Sequence, residues 1–322
     1  MLKLEKPTRA LTLEDLLDSR LMAQIGRLDV SSRKIFAGKL KGERRSKKRG
    51  ESVEFADHRP YAIGDDLRHI DWNIYGRLDK FFMKLFMEEE DLSLHIVLDA
   101  SLSADCGTPS KFLYSQQLAA ALGYIGLMNL NRVAVTTLGG KLRTAGGAVG
   151  GQDRIQPTPV MHALRDLRGK RRLQDLARFL CAVEPDGVTD FGAASKRLAI
   201  SRRGRGVMIV ISDFLMKEGY EDGLRLLMGR GYDVFAIQVL SPQEVEPDIA
   251  GDLRLRDCED ADLADVTISA PLLKKYKKVL AAYNARLRAF CAQREINCVS
   301  ITSDTELDTL ILDTFRRRGL LR

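Results

Sequence analysis

"LHIVLDASLSADCG", residues Leu94 to Gly107, decides the fold. It begins as a nearly continuous apolar run, the pattern of a strand covered on both faces. The run stops at Asp99, and hydroxyls follow at every second position, Ser101 and Ser103. Asp and Ser at a strand end often cap the next helix, so this stretch alone leaves a structural and a ligand-binding reading open.

Working outward, a second buried run, "GVMIVISD" (Gly206 to Asp213), also ends in an aspartate. Strands "RVAVTTL", "DVFAIQVL" and "NCVSIT" are interleaved with helical stretches over 110–130, 159–183, 190–203, 218–230, 271–294 and 304–318. Ser110 is placed to cap the first of these helices. Strands alternating with helices imply crossover connections and a mostly parallel sheet. Gly139-Gly140 reads as a hairpin turn into the short "KLRTA", which supplies one antiparallel edge strand. The expected architecture is a doubly wound α/β domain over 91–322, with an irregular insertion near 241–270.

Two smaller regions precede it. Residues 1–40 form a helical segment, with Leu13, Leu16, Leu17, Leu21, Ile25 and Leu28 recurring at spacings of three and four. Residues 41–90 hold a basic loop and a small lobe dense in aromatics and charge. In that lobe "KFFMKLFME" is an apolar stretch compatible with strand or helix. Tyr61, Ile70, Trp72, Phe81 and Phe82 are expected to be mainly core, packed on the larger domain. Asp65, Asp66 and Asp71 are expected to pair with Arg59, Arg68 and Arg77 or to cap turns.

Composition narrows the class. The chain has 322 residues, of which 45% are hydrophobic, and a formal charge of +7. No apolar stretch approaches the roughly 20 residues of a membrane span. The first residues lack an apolar secretory core. The five cysteines are scattered and form no C-x-x-C pair, so neither zinc nor a disulfide framework is indicated. A reduced, cytoplasmic protein is the expectation. "GKLKGERRSKKRG" (Gly38 to Gly50) carries seven basic residues and one acid. This 39–49 segment reads as a solvated run or as a contact for an acidic protein surface or anionic lipid. No aromatic interrupts it, which disfavours nucleic acid.

In an open parallel sheet, ligands bind beyond the carboxyl ends of the strands. Asp99 and Asp213 both end such strands and so emerge on one rim. Thr189, in "DGVTDFGAAS", lies on a connection able to return there. Asp99, Ser101, Ser103, Thr189 and Asp213 are all hard oxygen donors, a set suited to Mg²⁺, with Mn²⁺ or Ca²⁺ as alternatives. The phosphate-loop pattern and the G-x-S-x-G elbow are both absent from the sequence. The four histidines are widely separated, and His95, in mid-strand, reads as structural. A metal-dependent phosphoesterase or nuclease is the competing reading, but it offers mainly Asp99 and Asp213, with Asp190 and Asp105 as extras.

"DASLS", then "GVTD", then "VISDF" resembles the metal-ion-dependent adhesion site of von Willebrand factor A domains: D-x-S-x-S, a later Thr and a later Asp. The order of strands and helices also resembles that Rossmann-like fold. The preceding "HRPYAIGDDLRHIDW" and the later "GDLRLRDCED" and "FRRRGLL" resemble a bacterial family, the domain-of-unknown-function 58 family. Gly76 stands where many relatives carry Ala. The resemblance implies a non-catalytic binding module that works with MoxR-type AAA+ ATPases in the assembly or maturation of other proteins. In adhesion-site domains the metal keeps an open position that an Asp or Glu of the partner or client completes.

Overall fold

The computed structural model describes residues 10, 12–32, 54–63, 65–87, 92–143, 160–201, 206–229, 231–259 and 262–322. The basic 39–49 segment and Gly64 of the "GDDLRHIDW" block lie outside them. The chain divides into a large unit, Met1–Gly38 with Leu92–Arg322, and a small one, Lys39–Asp91.

The large unit opens with helices α1 (Leu13–Leu16) and α2 (Ser19–Ile25). The single helical segment expected there is broken: Leu17 is extended and Asp18 starts a new helix by accepting from the Arg20 N–H. Residues 33–40 lie outside the described ones. In the small unit, β1 (Glu54–Pro60), α3 (Trp72–Leu78) and β2 (Phe82–Met87) follow, the two strands paired antiparallel. This places Phe82–Met87 of "KFFMKLFME" in a strand. The large unit resumes with β3 (Ser93–Asp99), α4 (Lys111–Met128), β4 (Arg132–Leu138), β5 (Lys141–Leu142) and β6 (Met161–Leu167). Next come α5 (Leu173–Ala182), β7 (Val183–Glu184), α6 (Phe191–Ser201), β8 (Gly206–Ser212), α7 (Glu221–Met228) and β9 (Tyr232–Leu240). The chain ends with α8 (Pro242–Val245), β10 (Gly251–Arg256), β11 (Leu263–Ile268), α9 (Ala270–Ala292), β12 (Asn297–Thr302) and a helical segment over 307–317.

A six-stranded sheet in the order β12-β9-β8-β3-β4-β6 organises this unit, parallel except for β6. Alternate residues of β3 enter opposite cores. Leu94, Ile96 and Leu98 join Leu16, Leu21, Ile25 and Leu118 on one side, while Val97 joins Phe191, Leu198, Leu224 and Leu287 on the other. With both faces covered, β8 and β9 are buried along their whole length, as their continuous apolar sequences require.

Three expectations are corrected. The antiparallel edge strand is β6, inside the stretch read as helix over 159–183; the helix itself is Leu173–Ala182. Met161, Leu164 and Leu167 stand three apart and imitate helical spacing. A bulge in the β4–β6 pairing, with Asp166 at φ 55°, lets Leu164 and Leu167 both join the same core despite their odd separation. Gly139-Gly140 is not a hairpin turn: Lys141–Leu142 leaves β4 and pairs with Val183–Glu184. The 241–270 insertion is not irregular, since it holds α8 and the β10–β11 hairpin.

In the small unit, Ile70 is buried, but Trp72 is 61% exposed and Phe81 44%. These two rings are surface, not core; Phe81 stacks on Tyr75 with ring centroids 4.5 Å apart. Arg59 meets Asp65 at 2.7 Å and Arg68 meets Asp66 at 3.3 Å. Asp71 does not pair with Arg77. It caps α3 through the Asn73 and Ile74 N–H groups and takes His58 at 2.9 Å and Lys84 at 3.5 Å.

Candidate metal centre

The chain runs from β3 to β4 on one side, and β8 later takes its place on the other side of β3. The strand order therefore reverses between β3 and β8, the point where open α/β sheets form a crevice at their carboxyl ends. Asp99 is the last residue of β3, and Asp213 directly follows β8. Thr189 is drawn to the same rim by backbone pairing. Asp186 N–H donates to the Ala100 carbonyl (3.0 Å), Leu102 N–H to Gly187 (3.1 Å) and Gly140 N–H to Asp186 (2.8 Å). Gly139 and Gly140, at φ 70° and 77°, are needed for this approach. A Cβ on Gly139 would lie 3.2 Å from Thr189 Oγ1, and one on Gly140 would lie 2.9 Å from Ala100 Cβ.

The result is one hydrogen-bonded net. Asp99 Oδ1 accepts from Ser101 N–H (3.1 Å), Ser101 Oγ (2.9 Å) and Thr189 Oγ1 (3.2 Å). Ser101 Oγ and Ser103 Oγ are 2.9 Å apart. Asp99 and Ser101 are buried, while Ser103 and Thr189 are half-buried toward the opening. Four of the five residues singled out in the sequence are thus joined directly. Asp213 stands beside the net: Leu215 N–H donates to its Oδ1 at 2.9 Å, and Lys111 Nζ to its Oδ2 at 2.7 Å.

Three participants escape a reading by motif. Ser212, paired in register beyond Leu98 and Ile211, donates to Asp99 Oδ2 at 2.7 Å and accepts from Phe214 N–H. Lys111, the first residue of α4, sends a buried ammonium to Asp213 and, at 2.8 Å, to Glu244 Oε1. Glu244 closes a capping box on Ser241 at the start of α8. Lysine at a helix start and a short Ser-Pro-x-Glu box are ordinary local features, so only long-range proximity reveals their meeting.

Electrostatics follow from burial and neighbours. Burial raises the Asp99 carboxyl above its ordinary value, and the charge of Asp213 raises it further. Burial also works against the Lys111 ammonium, but Asp213, Cys106 and Glu244 outweigh it and raise its pKa. Glu244 feels the same burial, yet the Lys111 charge prevails and holds it below the usual range. Cys106, beside Glu244, is pushed up to about 11 by burial and is a neutral thiol at pH 7.

Asp99 is therefore harder to ionise than an exposed carboxyl, and hydroxyl oxygens surround it. Among the described residues, no group of three or more His, Cys, Asp or Glu is arranged to hold a metal ion. Any cation site here depends on the hydroxyls, a donor set that fits a hard cation with retained waters. Asp190 does not join: its carboxylate caps α6 through Ala193 N–H. His95 is buried in β3 and meets Thr136 Oγ1 at 2.8 Å, as a structural histidine would.

A family described as protein of unknown function DUF58 matches residues 57–286. The chain belongs to the DUF58 family. Uncharacterised proteins of Mycobacterium tuberculosis and Mycobacterium bovis are each 27% identical over 312 residues, covering 95% of this chain and 93% of theirs. A Mycobacterium avium protein is 32% identical over 48% of this chain and 93% of its own. Among solved structures, the conserved hypothetical protein BatB of Bacteroides thetaiotaomicron aligns with TM-score 0.41 and 14% identity, over 71% of this chain and 98% of that one. An aerotolerance-related membrane protein of Bacteroides fragilis aligns with TM-score 0.41 and 16% identity, over 71% and 98%. Likeness at that level says nothing of function. No helix among the described residues is long and apolar enough to cross a membrane.

Proposed function

We propose that this DUF58 protein is a non-catalytic, metal-dependent protein-binding module with a von Willebrand factor A-like, Rossmann-like large unit. The observation that carries the reading is the net of Asp99, Ser101, Ser103 and Thr189 at the strand-order reversal. Asp99, Ser101 and Ser103 would hold Mg²⁺, with Thr189 and Asp213 direct or through water. The bound ion supplies an open coordination position for an acidic side chain. Ser212 and Thr189 orient the Asp99 carboxylate, and the buried neighbours keep its charge from solvent. The occupant of the open position would be an Asp or Glu of a MoxR-type AAA+ ATPase or of its client.

The Lys111 ion pair favours binding over hydrolysis. Two-metal hydrolysis needs several carboxylates free to share a metal pair. Here the Lys111 ammonium is hydrogen-bonded to both Asp213 and Glu244, so neither carboxylate is free to share a metal pair.

Calorimetry with Mg²⁺ and Mn²⁺ on the protein and on Asp99→Asn, with ATPase pull-down in Mg²⁺ or EDTA, tests this reading. Divalent binding and capture should both disappear in Asp99→Asn. Capture unaffected by EDTA and by Asp99→Asn would overturn the metal bridge.

A further inference from the structure

The helix α9 runs for 23 residues and contains Lys274, Lys275, Lys277, Lys278, Arg286 and Arg288 but no Asp or Glu. Such a one-signed helix is not explained by its own fold. Lysines three and four residues apart, as Lys274 is from Lys277 and Lys278, repel each other, and the buried side of the helix is made of Leu280, Leu287, Phe290 and Cys291.

The exposed side has a pattern. Lys278, Ala282, Ala285 and Ala289 are all exposed and fall on one stripe at spacings of three and four. Lys275 flanks that stripe on one side and Arg288 on the other, while Arg286 lies over the Tyr283 ring and Lys277 pairs with Glu246. Val279, 60% exposed, lies at its edge. Alanines let another backbone approach closely, and the flanking cations lie where a second helix would present its own flanks. The stripe offers no aromatic ring on which a base could stack. Tyr276, 38% exposed, lies off the stripe with its hydroxyl donating to the Glu244 carbonyl at 2.8 Å.

The same helix is tied to the candidate metal centre. Gln238 Nε2 donates both to the Asp213 carbonyl and to Asn284 Oδ1, each at 3.0 Å. Tyr283 donates to the Phe214 carbonyl. Lys277 meets Glu246, just past α8, at 3.1 Å. The inward side of α9 is thus packed against the loop that carries Asp213.

We infer that the outward face of α9 is a docking surface for an acidic amphipathic helix of a partner protein, its small or apolar residues on Ala282, Ala285 and Ala289 and its carboxylates on Lys274, Lys275, Lys278 and Arg288. This rests on the proposed function only in taking the occupant to be a protein. The attraction itself is electrostatic complementarity over a helical seat, and it operates without a metal.

The probe is a fluorescent helical peptide of about five turns, with Glu on both flanks of an Ala/Leu stripe. It is measured in EDTA against the full chain, with a single-stranded RNA and phosphatidylserine vesicles alongside. The triple variant Lys274→Glu/Lys275→Glu/Lys278→Glu should weaken peptide binding at least tenfold, and added salt should weaken it further. Ala282→Arg separates a seated helix from diffuse attraction. It adds a positive charge, so diffuse attraction tightens, whereas a helix seated on the stripe is displaced. Both substitutions are at exposed, helix-compatible positions, and circular dichroism verifies the fold.

Unchanged affinity in the triple variant, or tightening in Ala282→Arg, overturns the proposal. So does RNA or vesicle binding tighter than the peptide's and sensitive to the same lysines. Asp99→Asn should leave peptide binding in EDTA intact. Loss of ATPase capture in the triple variant, with capture indifferent to EDTA and Asp99→Asn, would sink the metal bridge and leave the α9 surface standing.

Discussion

The ammonium of Lys111 lies 2.7 Å from Asp213 Oδ2, and both side chains are buried at the carboxyl edge of the central sheet. A lysine anchored at the first position of α4 is thereby a built-in cation beside a site whose other oxygens suit a divalent one. Two carboxylates and one ammonium share the cluster, because Glu244 takes a second hydrogen bond from the same nitrogen.

Removing that ammonium tests its weight. Lys111→Met keeps the stem but leaves Asp213 and Glu244 without their partner. Breaking a buried pair in this way typically costs about 3–5 kcal/mol. Urea unfolding in EDTA should show that loss. Millimolar Mg²⁺ should recover part of it, because a ligand that binds only the folded state stabilises by mass action. A variant as stable as the parent would show that the pair contributes nothing net.

Ser212 is expected to set how tightly Asp99 is held. Ser212→Ala deletes the 2.7 Å bond to Oδ2 and the acceptor for Phe214 N–H. Loss of a hydrogen bond to a buried charged group costs about 1.5–3 kcal/mol. Phe214 sits at φ 57°, a costly conformation for a bulky residue, so the loop that carries Asp213 should loosen as well. Hydrogen exchange at the Phe214 and Leu215 amides would report it.

Gly140→Ala should damage the site more than Gly139→Ala. Both place a side chain at positive φ, a penalty of roughly 1–2 kcal/mol. The added methyl on Gly140 also meets Ala100 Cβ at 2.9 Å, against 3.2 Å to Thr189 Oγ1 for Gly139. Thermal unfolding should rank the two in that order, and calorimetry with Mn²⁺ should show weakened binding in both.

The small unit should carry a pH signature through Asp71. Its hydrogen bond to His58 comes first, with the Ile74 and Asn73 amides and Lys84 adding to it; against a smaller opposing effect of burial, they hold its carboxyl at about 2. A carboxylate depressed in the folded state stabilises fully above its ordinary value near 3.8 and loses that contribution as pH falls toward 2. Amides of α3 should therefore exchange faster as pH falls through that window, after correction for intrinsic rates. Asp71→Asn should flatten the response.

Much of the large unit was legible because burial on both faces leaves an unmistakable trace. "LHIVLD", "GVMIVISD" and "DVFAIQVL" have few polar interruptions, and each is a strand of the central sheet. Ser110 was legible as a cap because its side chain acts locally, on Leu113 N–H. The edge strand β6 was not, because its leucines follow a bulge rather than a simple alternation. Gly139-Gly140 announced a special backbone but not its purpose, since a hairpin turn and a close approach both demand positive φ.

For the candidate site the division is similar. The sequence by itself determined the residue types, a D-x-S-x-S run after one buried strand and an aspartate after another, and the rim on which parallel strands must leave them. It determined this because the chemistry of a side chain and the direction of a strand are local properties. Only the tertiary structure decided that Ser212 would hold Asp99, that Lys111 would bridge Asp213 and Glu244, and that α9 would be braced against the same loop. Those are meetings between residues up to 133 positions apart, and their energies come from burial and proximity, which no local pattern encodes.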